Sequence, residues 1–161
     1  MVMKLYLVEI GGMRDGNLFE SHEVHAMFAG SEEQLIRDCQ ARFANAMRAA
    51  HLDGWIEIEL ADAVMPRPEG AGSFFIAELG RNSSRSVREE HDYRFLTANS
   101  WKDAVQQARR DAPGWHVDAC IDLDALAGEG GYSLHRDLFG NVPTPQAKSR
   151  YLRFLDARQP A

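Results

Sequence analysis

Imidazoles and carboxylates recur in this chain in two matching sets. One set is Glu9, Glu20, His22, His51 and Asp53; the other is Glu78, Glu89, His91, His116 and Asp118. Each set holds a Glu-x-His phrase (Glu20 to His22, Glu89 to His91) and a His-x-Asp phrase (His51 to Asp53, His116 to Asp118). Three kinds of chemistry suit such residues. They can form a hydrogen-bonded network at the edge of a core, which is how buried polar groups normally satisfy themselves. They can bind a small ligand or a zinc-like cation, because histidine with carboxylates is a common donor set. They can also move protons, with Glu or His as general base. The ten residues are therefore candidate ligand-binding residues. The network is the first expectation, and no metal ligand, catalytic residue or cofactor is assigned. No nucleophile stands in a recognisable elbow, and "EIGGM" and "ELGRN" are too short to cradle a phosphate. A glycine permitting a tight turn explains them better.

The elements that carry these residues also come in two copies. When Leu5 slides onto Phe74, "LYLVEIG" falls on "FFIAELG", and Glu20, His22 and Ser31 fall on Glu89, His91 and Ser100. After a short deletion, "HLDGWIEIEL" meets "HVDACIDLDA". Two copies are too few for a solenoid, so a duplicated half-domain is expected. Each begins with a nearly continuous apolar run, which predicts a strand buried on both faces. An alternating segment follows, "HEVHAMF" or "HDYRFL". Then comes a helix with Ser31 or Ser100 as N-cap, and Gln34 or Asp103 placed to complete a capping box. A last strand alternates Ile56, Ile58 and Leu60 with Glu57 and Glu59, echoed by Ile121 and Leu123 with Asp122 and Asp124.

The prediction is an α+β protein of duplicated β-β-α-β half-domains in pseudo-twofold relation. The strand order is 2-1-3 in each half, because the doubly apolar first strand belongs in the middle. The halves span residues 1–62 and 73–136, with a Pro- and Gly-rich linker at 63–72 and a C-terminal extension at 137–161. Its segment "TPQAKSRYLRFLDAR" (144–158) predicts a basic helix opened by Thr144 and Pro145, and a short extra strand is expected within 128–139. This topology gathers each polar set at one rim of its sheet. Strand parity opposes a metal site there. His22 falls with the apolar face, His51 and Asp53 fall with Glu57, and only a bend at "HLDG" would unite them. The segment "RNSSRSVREE" (81–90) is expected to be a solvated hairpin loop carrying Arg81, Arg85 and Arg88. Trp55, Trp101 and Trp115 are expected in the core or at an interface.

Composition narrows the function classes. With 45% hydrophobic and 26% charged residues, the chain is expected to be a soluble globular protein rather than a disordered one. A net charge of −6 argues against broad phosphate-backbone binding, so nucleic acid is not an expected partner. The apolar run in "MVMKLYLVEIGG" is too short to cross a bilayer and lacks a leader pattern, so no membrane partner is expected and the cytoplasm is the expected compartment. Cys39 and Cys120 form no metal-binding pair. Homo-oligomerisation is expected from the apolar first strands, and the rim leaves room for a small ligand. The leading expectation is a homodimeric binding or interaction module without enzymatic activity. The alternative is a small metal-dependent hydrolase using the repeated rim.

"MKLYLVEIGG", "ESHEV" and "HLDGW" together resemble the family known as domain of unknown function 1543. "EEHDY", "WHVD" and "GGYSLH" resemble that module's second appearance. The resemblance covers most of residues 3–136. Departures include Arg81 where the first copy has Gly12, and Gly131 where an acidic residue is expected. The family has no established activity, so the resemblance implies a small duplicated fold and no particular reaction.

Overall fold

The computed structural model describes residues 2–155. In chain order its elements are strands β1 (Lys4–Met13) and β2 (Ser21–Ala29), helix α1 (Glu32–Phe43), strands β3 (Arg48–Glu59), β4 (Ser73–Ser83) and β5 (Ser86–Ala98), helix α2 (Trp101–Asp111), strand β6 (His116–Asp122), helix α3 (Leu123–Glu129) and strand β7 (Gln146–Arg153). The protein is α+β, with two antiparallel sheets and three helices among the described residues. Two compact units divide it: residues up to Asp62 together with those from Pro143 onward, and residues Ala63–Val142.

In the first unit the sheet runs β2-β1-β3-β7. Tyr6, Val8 and Ile10 project from one face of β1 into a core with Leu35, Cys39 and Phe43 of α1. Leu5 and Leu7 on its other face are buried as well. The Ser31 hydroxyl accepts from the Gln34 amide N–H at 3.2 Å, and the Gln34 side chain accepts from Gly30 N–H at 2.9 Å. Two donors at the start of α1 are thereby satisfied, with Glu32 and Glu33 in the first turn.

The second unit holds the sheet β5-β4-β6. Phe75, Ala77 and Leu79 of β4 pack on Ala104 and Ala108 of α2. The Ser100 hydroxyl accepts from Asp103 N–H at 3.1 Å and donates to the Asp103 carboxylate at 2.8 Å. The apolar stripe of α2 is thin, with Ala104, Val105 and Ala108 as its buried residues.

Several sequence expectations are corrected. Residues 146–153 form strand β7 rather than a C-terminal helix, and residues 156–158 of the expected helix lie outside the described residues. Tyr151, Phe154 and Leu155 satisfy a helical stripe, but Leu152 and Phe154 satisfy a period of two. The open edge of β3 decides the matter, because its unpaired N–H and C=O groups need a partner and β7 supplies one. Leu152 and Phe154 then pack on the core, and Lys148 lies over the Trp55 ring. β6 ends at Asp122, whose carboxylate accepts from Ala125 N–H at 3.0 Å and caps α3. Leu123 and Asp124 are therefore helical, and Leu123 and Ala127, one turn apart, are both buried. Among the described residues no strand element forms between α3 and β7, and within 128–139 only Leu134 makes an isolated bridge. "RNSSRSVREE" is mostly strand, since β4 reaches Ser83 and β5 resumes at Ser86. Arg81 in it is engaged by the Glu90 carboxylate and the Trp115 ring.

Candidate functional site

In the first unit, Gly11 of β1 is paired in register with His22 of β2 on one side and His51 of β3 on the other. Residues side by side in an antiparallel sheet share a face, so both imidazoles lean over the glycine. A Cβ on Gly11 would overlap the His51 ring and stand 3.1 Å from His22 Cε1. Glu9 and Glu20 each lie two residues before a member of this row and so share its face. This is the face turned away from α1.

Asp53 joins them through a bulge. Ile10 pairs with Leu52, yet Glu9 pairs with Gly54, so Asp53 is an extra residue in β3. The bulge inverts strand parity across "HLDG". It places His51 on the same face as Ile56 instead of with Glu57, correcting the phasing read from the sequence. The second unit repeats the device. Gly80 pairs with His91 and His116, and Asp118 is extra between Leu79–Val117 and Glu78–Ala119. A Cβ on Gly80 would overlap the ends of His116 and Asp118.

The donor atoms of the first rim converge. His22 Nδ1–H donates to Asp53 Oδ2 at 2.8 Å, with Glu9 Oε1 at 3.8 Å from the same nitrogen and Glu20 Oε2 at 4.0 Å from His22 Nε2. Of these carboxylates Asp53, carried in by the bulge, stands closest to His22. His51 is 3% exposed, the most buried polar residue of the rim. Its Nδ1 lies 2.9 Å from the Ala49 carbonyl, which can only accept, so Nδ1 carries the hydrogen. Its Nε2 then faces Asp53 Oδ1 at 3.3 Å and Glu20 Oε2 at 3.7 Å.

In the second rim His116 Nε2 lies 2.5 Å from Glu89 Oε1 and 3.1 Å from Asp118 Oδ1. His91 Nε2 lies 3.2 Å from Glu89 Oε2 and 3.4 Å from Asp118 Oδ2. Glu78, His91 and Asp118 each offer an atom within 4.8 Å of the others, as do Glu89, His116 and Asp118, and His22, His51 and Asp53. All ten candidate residues thus sit at the two rims, five in each unit.

Other titratable groups stay apart. His25 lies on the α1 face, where it contacts Glu23 at 3.1 Å and packs on Phe43. The Arg14 guanidinium, with help from His25, holds the Glu23 carboxyl down at about 2. Burial pushes the Cys39 thiol up to about 12, and it raises Cys120 too, which suits core residues rather than thiolate ligands. Trp55 belongs to the core, whereas Trp101 is exposed at the start of α2.

Sequence reasoning missed two contributors. Tyr151 of β7 sets its ring 4.9 Å from that of His51, and it was hidden by reading its segment as a helix. Ala49 holds its carbonyl against His51 from a left-handed backbone (φ 52°), which an alanine gives no reason to expect.

No protein-family model matches the chain, and no curated protein matches it. Among solved structures it is similar to the crystal structure of protein Il1583 from Idiomarina loihiensis. The identity is 19%, the TM-score 0.58, and the match covers 96% of this chain and 99% of that one. At that identity the likeness is one of fold. Among the described residues no helix is long and apolar enough to cross a membrane.

Proposed function

We propose that this protein is a small metal-binding module whose two rims each hold one divalent first-row transition ion, zinc being the first to test. The single observation carrying the reading is the spacing of the donors. Ligands at about 2.0–2.1 Å around a tetrahedral ion stand roughly 3.4 Å from one another. His51 Nε2 to Asp53 Oδ1 is 3.3 Å, and in the second rim three of the imidazole–carboxylate separations fall between 3.1 and 3.4 Å. The His51 contact to a backbone carbonyl supports it further, because a ligating histidine usually donates its other N–H to such a group. A lone pair on His51 Nε2 facing two carboxylates calls for a cation between them, and a bound proton is the competing choice.

Duplication of a β-β-α-β half-domain belongs to the same proposal, as does membership of the domain of unknown function 1543 family. It is supported by the matching glycines, the matching bulges at Asp53 and Asp118, and the matching caps at Ser31 and Ser100. Hydrolysis or ligand capture at these ions, and homodimerisation, are further steps for activity screens and light scattering.

A thermal melt with and without a chelator tests the metal reading, because a bound ion stabilises only the folded state. The purified protein is expected to melt lower after chelation and to recover with zinc. An unchanged melt in both arms, together with no metal in the purified protein, leaves the hydrogen-bonded network as the better account.

A further inference from the structure

The two rims share residue types but not surroundings. In the first, the His51 side chain is 4% exposed; its counterpart His116 is 50% exposed. His51 is fixed through Nδ1 by the Ala49 carbonyl and covered by Tyr151. Among the described residues no hydrogen bond fixes Nδ1 of His91 or His116: the polar contacts of both rings are made through Nε2. Topology is the cause. β7 extends the first sheet beyond β3 and supplies Tyr151, whereas among the described residues β6 is the edge strand of its sheet. The left-handed backbone at Ala49 is held by the strands around it, so the acceptor for His51 is set before any ion arrives.

We infer that the two ions serve different ends: the first rim retains its ion, and the second exchanges its ion and keeps coordination positions open to water or a small anionic ligand. This rests on the metal reading above. A pre-set ligand loses less freedom when the ion binds, and outer contacts of this kind are worth about 10–100-fold in affinity. Half-exposed histidines on an edge strand lose more freedom and leave one side of the ion to solvent. Closed sites of that kind suit structural ions, while an open position is what exogenous ligands and activated water require.

The test is competition titration of the metal-free full chain with zinc, followed by release into excess chelator. Two classes of site are expected, about 10–100-fold apart in affinity. His116→Ala, at a half-exposed position, should remove the weaker and faster class alone. Tyr151→Ala should speed release from the tighter class and leave the weaker one unchanged, a readout that a purely structural role for Tyr151 would not move. Two equal sites, or loss of the tighter class in His116→Ala, would overturn the inference while leaving the metal reading intact. Absence of any zinc binding would instead remove the metal reading and this inference together.

Discussion

His51 and Ala49 are joined by a hydrogen bond of 2.9 Å from imidazole Nδ1 to backbone carbonyl, two residues apart on the same strand. The bond decides which nitrogen of His51 faces the rim. Ala49, at positive φ, aims its carbonyl at the ring. The first rim is therefore rigid at its most buried member.

That rigidity predicts different outcomes for equivalent substitutions. Gly11→Ala drives a methyl into a buried, fixed ring and should cost about 1–3 kcal/mol, the usual penalty for overpacking. Gly80→Ala meets the far ends of His116, Asp118 and Glu89, which can swing into solvent, so its stability loss should be smaller. Urea denaturation of both variants checks this. Equal losses would mean that the rims are equally rigid.

The Asp124–Arg136 pair offers a second test away from the rims. Arg136 donates from both terminal nitrogens to the two Asp124 oxygens at 2.7 Å, and Phe74 N–H also donates to that carboxylate. Both side chains are largely buried, at 13% and 8% exposure. Arg136→Ala removes the bidentate partner of a buried carboxylate, leaving it Arg67 at 4.0 Å and the Phe74 N–H, and should destabilise by about 1–3 kcal/mol. The double change Arg136→Met with Asp124→Asn should cost less than Arg136→Ala alone, as read by denaturant midpoints.

Much of this architecture was legible in the sequence, and the gaps have physical causes. Burial of β1 on both faces followed from "KLYLVEI", and the helix starts followed from Ser31 and Ser100, because those signals are local. β7 was not legible, since apolar residues at 151, 154 and 155 fit a helix while 152 and 154 fit a strand until an open β3 edge is present to select the strand. The change from strand to helix at Asp122 was hidden likewise, because Ile121 and Leu123 alternate as a strand would until the Asp122 carboxylate caps the next turn. At the rims, residue identities were readable but faces were not. A bulge adds one residue and reverses parity downstream, and in "HLDGW" only the glycine hints at it.

Thiol chemistry supplies a third prediction. Burial raises the Cys39 pKa from 9.0 to about 12, so the folded state holds that proton more tightly than the unfolded chain. The stability this contributes is fully present below the unfolded value and is lost as pH rises from there towards the folded one. Cys39 should resist alkylation in the native protein at mildly alkaline pH and react at the rate of unfolding. Rapid native labelling, read by peptide mass spectrometry, would show that the α1 core opens on its own.

The most direct measurement is metal stoichiometry by native mass spectrometry on the zinc-loaded full chain, beside the double variant His51→Ala with His116→Ala. The account predicts one ion per rim in the parent protein and none held by the double variant while it stays folded. A parent protein that retains no zinc, or a double variant that keeps its full complement, would contradict it.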